Sequence, residues 1–272
     1  MRITYIPHQA NYEVSLSSEC AYFKEGKGTL TYDVEVKHIK TEAHVFFIEV
    51  NKTNVLMNDA EAHDAFNDML LLTAEAINKV VVRVNESGVL LGLSNFEEIK
   101  KKWLHARNMA EDMYKGHIIS NYLEGMQKKF ESAEILWNAL GKNLFYTAFF
   151  NGIYKNYIDS ESNEQEMIIR DLLPTQGVGI LVNQTLSLDK EEDTFIVSIK
   201  GMEEFDGISQ HTKDFFKGKS QLEALPEMCL VEVEGTYNIA PSTGVINSIR
   251  MEAKVSYDDF YQKSMYIEII KQ

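Results

Sequence analysis

Cysteine is scarce in this chain. Among 272 residues only Cys20 and Cys229 occur, too few for the disulfide framework that staples small secreted domains. Both are expected to be reduced. Long apolar runs are missing too: no stretch approaches the about 18 consecutive apolar residues of a membrane-spanning helix. The opening residues Met1-Arg2-Ile3-Thr4-Tyr5-Ile6-Pro7-His8 lack the apolar core and small-residue cleavage site of a secretory signal. A cytoplasmic location is expected, or the envelope if a signal once preceded Met1. Basic charge is in short supply, 27 Lys and Arg against 41 Asp and Glu, giving a net charge of -14. Nucleic acid would meet a repulsive field on most faces and is excluded as a partner. A basic protein partner fits the charge, although acidity also simply keeps a chain in solution.

Motifs of catalysis are equally sparse. Gly-x-Ser-x-Gly and His-Glu-x-x-His are absent, so no nucleophile elbow and no zinc helix is written into the chain. Gly218-Lys219-Ser220 has the ending of a phosphate-binding loop, but position 213, where that loop needs Gly to wrap the phosphates, is Lys. The seven histidines stand at 8, 38, 44, 63, 105, 117 and 211 without metal-ligand spacing. His38 and His44 are placed to face each other across a turn, as surface histidines. The acid pairs Glu97-Glu98, Glu203-Glu204 and Asp258-Asp259 are sequence neighbours, which a strand points apart and a helix splays by about 100°. They do not converge as paired carboxylate catalysis requires. The reading is of a non-enzyme without cofactor or metal.

What the chain does have is periodicity. Val84-Asn85-Glu86-Ser87-Gly88-Val89-Leu90 and Ile239-Ala240-Pro241-Ser242-Thr243-Gly244-Val245-Ile246 each set a turn ending in Gly between alternating apolar runs, as hairpins require. Leu30, Tyr32, Val34 and Val36 alternate with Thr31, Asp33, Glu35 and Lys37, which predicts a half-buried strand. Tyr12 to Leu16 and Ala43 to Val50 read likewise, and Val45-Phe46-Phe47-Ile48, apolar on both faces, suggests a more central strand. Asn58-Asp59-Ala60-Glu61 and Ser94-Asn95-Phe96-Glu97 have the form of helix capping boxes. Behind them, apolar residues recur at intervals of three and four, through Phe66, Met69 and Ile77 and through Ile99, Trp103, Ala106 and Met113. Helical stripes continue to Leu140. After the polar stretch 158–171, read as a loop or a helix start, strands are predicted over 179–188, 194–199, 229–239, 245–257 and 265–270. A long connection from Gly201 to Pro226 separates two of them.

The fold class expected is therefore α+β: curved antiparallel sheet from both chain halves, covered on one face by a central helical block. Two divisions are consistent with the pattern, residues 1–157 with a helical insertion and a β-rich half 158–272, or one continuous domain. The densest aromatic segment, Phe145, Tyr146, Phe149, Phe150, Tyr154 and Tyr157, fits helix and buried strand equally. With Trp103 and Trp137 it is a candidate lining for an apolar pocket or a protein interface, packing being the commoner use of such residues. The candidate site residues are Trp103, Trp137, Phe145, Phe149, Phe150 and Tyr154.

The C-terminal stretch Gly235-Thr236-Tyr237-Asn238-Ile239-Ala240-Pro241-Ser242-Thr243-Gly244-Val245-Ile246 resembles the closing hairpin of β-rich proteins common in Bacteroidota, many of them of the cell envelope. The resemblance covers that hairpin only and implies a bacterial β-rich protein without transferring any catalytic residue. A curved sheet under helices is also similar in architecture to lipoprotein carriers, an analogy of form. Two functions follow as expectations. The first is an acidic interaction protein of inhibitor, immunity or secretion-adaptor type, recognising a macromolecule through a sheet edge or helical face. The second is a carrier or sensor of an apolar small molecule held between sheet and helices.

Overall fold

The computed structural model describes residues 1–20, 27–57, 65–140, 143–158, 163–174, 176–219, 227–257 and 261–272. Its strands are β1 (Gln9–Cys20), β2 (Lys27–Glu42), β3 (Val45–Met57), β4 (Lys79–Val84), β5 (Leu90–Leu93), β6 (Glu164–Leu173), β7 (Gln176–Asp189), β8 (Thr194–Phe205), β9 (Cys229–Ile239), β10 (Ile246–Tyr257) and β11 (Tyr261–Lys271). The helices are α1 (Ala65–Ala74), α2 (Phe96–Met113), α3 (His117–Lys129), α4 (Ala133–Leu140), α5 (Leu144–Phe149) and α6 (Gln210–Lys219), with a 3₁₀ turn at Glu75–Ile77. The capping box at Asn58, His63, Ser220 and the pair Asp258-Asp259 lie outside the described residues. No helix of the described residues is long and apolar enough to cross a membrane.

All eleven strands belong to one antiparallel sheet in the order β5-β4-β3-β2-β1-β11-β10-β9-β8-β7-β6. The first and last parts of the chain meet where β1 pairs with β11, Val14 opposite Ile269 and Leu16 opposite Ile267. Side chains sort by strand alternation. Tyr32, Val34 and Val36 in β2 and Met251, Ala253, Val255 and Tyr257 in β10 are buried, while Arg250 and Lys254 between them are exposed. One face of the sheet is thus solvated and the other covered, as an amphipathic antiparallel sheet permits.

The stretch Val45 to Ile48 departs from a two-sided central strand. Ala43 and His44 form the turn into it with positive φ, and of its apolar residues only Ile48 is fully buried. Phe47 lies on the outer face, where the Lys40 ammonium sits 4.6 Å from its ring centroid. Of the stretch 158–171, read as loop or helix start, residues 164–171 belong instead to edge strand β6. Their polarity reflects an edge whose outer positions Glu164 and Glu166 face water while Met167 and Ile169 are buried. Within the link from Gly201 to Pro226, β8 continues to Phe205 and α6 follows. Its start is capped by Ser209, whose Oγ accepts from the Thr212 N–H at 3.1 Å, and Phe216 anchors it against Tyr257 and Tyr261. Gly218-Lys219 falls in the last turn of that helix, whereas a phosphate loop opens one.

At Ser94-Asn95-Phe96-Glu97 the helix begins as predicted, but no side chain caps it. Asn95 is turned to the sheet, its Oδ1 accepting from Val81 N–H at 2.8 Å and its Nδ2 donating to Lys79 O at 3.3 Å. The side-chain amide thereby extends the β4–β5 ladder by one peptide-like unit, a use of this half-buried amide that satisfies two backbone groups where a cap would satisfy one.

The aromatic segment fills the covered face. Asn143 caps α5 through Oδ1 and Phe145 N–H at 3.0 Å; the chain then runs to Tyr157 without regular secondary structure, bending at Gly152. Phe149 meets Tyr12 edge-on at 5.2 Å and stacks on Phe145 at 5.4 Å, and Phe145 meets Tyr32 at 6.3 Å. Residues 150–157 are tied by Tyr154 N–H to Ser87 O, Ile3 N–H to Lys155 O and Tyr157 N–H to Met1 O, at 3.1, 3.0 and 2.7 Å.

The β9–β10 turn depends on Gly244, whose φ is +66° and whose added Cβ would stand 2.2 Å from Thr4 O. A left-handed backbone alone costs a residue with a Cβ about 1–2 kcal/mol, and the clash adds to it. Gly244→Ala should therefore lower stability by at least about 2 kcal/mol in denaturant unfolding, and a variant as stable as the parent would contradict this placement of the turn against the N-terminal strap.

Candidate functional site

The sheet curves far enough that its two free edges approach the same segment. Val89, beside β5, forms a bridge with Asn151. A Cβ on Gly152 would meet both Val89 Cγ2 at 2.9 Å and Gln165 Oε1 of β6 at 2.8 Å. Gly152, with φ +64°, thus marks the point where the chain passes between the two edges with no room for a side chain. Along this seam runs a groove of about 230 Å³, walled by Leu90 on one edge, Met167 and Ile168 on the other, and Trp137 and Phe150 from the covering layer. Glu166 stands on its rim.

Beneath the groove the polar groups are fully engaged. Tyr237 donates its hydroxyl to Ala148 O at 2.9 Å and accepts from Asn151 Nδ2 at 3.2 Å. Gln184, fully buried, donates to Asn151 O at 2.8 Å. The Tyr157 hydroxyl donates to Ile153 O at 2.9 Å. Burial raises the Tyr237 and Tyr157 phenols well above their ordinary value, so both remain neutral donors. They satisfy the backbone where it leaves α5 and loses its own ladder.

The six aromatic residues singled out from sequence divide between groove and core. Trp137 and Phe150 line the groove. Phe145 and Phe149 pack against β1 and β2 inside. Tyr154 lies edge-on to Tyr5 at 5.3 Å. Trp103 is remote from them, stacked on Phe130 at 4.5 Å with its indole N–H donating to Gln127 Oε1 at 2.7 Å. Sequence reasoning missed Val89, Met167 and Glu166, since nothing local says that the ends of a sheet will meet. Asn151-Gly152 after an aromatic run was the available signal, a polar turn where a buried segment changes direction.

A wider depression of about 730 Å³ lies between the 3₁₀ turn and α2, floored by Leu72, Ala76, Ala106 and Met109. Two of its rim cations are already paired, Lys102 with Glu98 at 2.9 Å and Lys79 with Glu49 at 2.8 Å.

The histidines do not form the pair expected across the β2–β3 turn. His44 is bonded to Glu86 at 2.8 Å, and His38 to the Thr41 hydroxyl at 3.1 Å. His38 instead belongs with His8 around Tyr5, whose ring centroid is 5.4 Å from His8 and 6.1 Å from His38. His8 Nδ1 donates to Ile6 O at 2.8 Å, while His8 Nε2 and His38 Nδ1 are buried without a partner. Among the described residues no three His, Cys, Asp or Glu side chains converge as metal ligands would. Cys20 and Cys229 are buried free thiols, and burial pushes Cys229 up to about 11.

No family model matches this chain, and no curated protein matches it. Among solved structures it is similar to a lipovitellin chain, from a structure of lipid–protein interactions in lipovitellin, with a TM-score of 0.46 and 7% identity over 97% of this chain. The chain spans 25% of that lipovitellin chain. No ligand or activity is carried over from it.

Two outcomes test this region. Tyr237→Phe strands both Ala148 O and Asn151 Nδ2 and should cost about 2 kcal/mol by chemical denaturation; a change below a few tenths would place water, not Tyr237, as their partner. His8 and His38 are both lowered from 6.5, chiefly by burial, with Lys271 adding to His8 and His8 to His38. The unfolded chain therefore takes up protons first. Stability should be complete above pH 6.5 and fall as pH drops below it toward the lowered folded values. Urea midpoints of the parent should show that decline, and the double variant His8→Gln, His38→Gln should flatten it.

Proposed function

We propose that this chain is a non-enzymatic, acidic interaction protein that holds an extended segment of a protein partner along the seam groove. The observation that carries the reading is the convergence of both free sheet edges on one groove with Trp137 and Phe150 beside it. Each edge strand has one side without a neighbouring strand, and such an edge is a template for a further strand. Aromatic side chains beside an edge supply the anchor pocket that gives strand addition its selectivity. A volume of about 230 Å³ suits side chains of a bound segment better than a whole ligand, whose pockets run about 300–1,000 Å³.

Chemistry at the rim describes the segment. Glu166 stands at the groove and the chain carries a net charge of -14. An apolar residue seated between Trp137 and Phe150, with Lys or Arg next to it, satisfies both features. The carrier reading draws less support, because Phe145 and Phe149 fill the space between sheet and helices with ring-to-ring contacts.

Selection of displayed peptides against the purified protein should enrich extended segments with an apolar anchor and a flanking basic residue. Trp137→Ala should weaken a selected peptide at least about 10-fold, and Glu166→Lys should weaken it and reduce the salt dependence of binding. Peptides unaffected by both substitutions would reject this groove as the site. An apolar small molecule recovered by organic extraction and mass spectrometry would favour the carrier instead.

A further inference from the structure

Lys52 is placed unlike any other lysine of the described residues. It lies in β3 opposite Val34 of β2, on the covered side of the sheet, and its backbone N–H is fixed to Asn78 O at 2.8 Å. The ammonium is enclosed by rings, 4.9 Å from the centroid of Tyr32, 5.1 Å from Tyr146 and 5.5 Å from Phe145. Among the described residues its Nζ has neither a carboxylate nor a hydrogen-bond acceptor. Other lysines have found one: Lys40 pairs with Glu42, Lys79 with Glu49, Lys102 with Glu98 and Lys254 with Glu252. Beside it the Tyr32 hydroxyl, in a residue 3% exposed, is buried without a partner. Lys52 itself retains partial exposure, so the amine can be reached.

An ammonium presents three N–H donors, and in this nest the described residues offer no acceptor for them, so they turn to solvent. The ring faces favour its charge, while loss of hydration disfavours it. Burial pushes Lys52 down to about 8. A neutral amine at ordinary pH is a nucleophile. Conversion to an iminium would leave a cation for the rings to hold.

We propose that the Lys52 amine, in its nest of Tyr32, Tyr146 and Phe145, is a covalent binding site for a small aldehyde. The neutral nitrogen attacks the carbonyl carbon and forms the C–N bond. The carbinolamine then takes up one proton from solvent, loses its oxygen as water and keeps the nitrogen proton. Amine plus aldehyde plus one proton gives iminium plus water, without change of oxidation state. The site is separate from the seam groove and stands whether or not that groove binds a peptide.

The test is brief treatment of the folded protein with propanal and sodium cyanoborohydride at neutral pH, followed by peptide mapping. Lys52 should be propylated at least about 10-fold faster than Lys79 or Lys254, which their carboxylate partners hold above the ordinary lysine value. A neutral fraction raised by its lowered pKa is only partly offset by weaker nucleophilicity. Its rate should level off near pH 8, whereas the others keep rising. Lys155 is the internal comparison: burial lowers it too, but its Nζ donates to Asn163 O at 3.2 Å, and it should react more slowly. Lys52→Arg, checked for native circular dichroism, should remove the fast phase and leave labelling elsewhere unchanged. Lys52 unmodified, or modified at the pace of surface lysines, overturns the proposal.

Discussion

The structure depends on hydrogen-bonding a chain segment inside a curved sheet. An eleven-stranded sheet with one apolar face must cover that face, and the closest cover here is the segment from Leu144 to Tyr157. Half of it is a short helix that satisfies itself. The other half has no regular secondary structure and would be intolerable in an apolar interior. It survives because Ser87, Met1, Ile3, Tyr237 and Gln184 each present a donor or acceptor at the required place. These partners come from the N-terminus, from the β4–β5 turn and from strands β7 and β9, so distant parts of the chain are tied to this segment.

Curvature then sets the functional geography. A flat sheet would hold β5 and β6 at opposite ends of the molecule. Wrapped around α5 and the segment that follows it, the sheet brings both to Gly152 without pairing them. The seam left between them combines unpaired strand edges, apolar walls and an acidic rim. On the outer face, by contrast, alternating residues meet water and carry the charge that the composition announced. The ring-shielded amine of Lys52 is a second product of the same wrapping, since Phe145 and Tyr146 reach this β3 residue only when α5 lies across it.

Much of the fold could be read from the residues, and the exceptions are instructive. Both hairpins were legible because Gly88 and Gly244 hold positive φ, a requirement that local sequence expresses directly. The strands β2, β9 and β10 were legible because a one-residue shift would turn their buried rows to water. The helix α6 was not, since its Phe215-Phe216 and flanking charges are too short a stripe to distinguish from a loop. β6 was hidden for the opposite reason: an edge strand needs polar residues, and polar residues also make loops. Of the site, Trp137 and Phe150 were chosen for their size alone. Glu166, Val89 and Lys52 carried no local mark.

What the sequence determined by itself was the period of most strands and of the longer helices, the position of the tight turns and the sign of the surface charge. These depend on steric limits and alternation within a few residues. Only the tertiary structure decided which strands are neighbours, that Asn95 would serve the sheet and not its helix, and that two edges and a lone amine would face the same aromatic segment. Those outcomes arise from contacts between residues far apart in the chain, whose energies appear only when the sheet has closed around its filling.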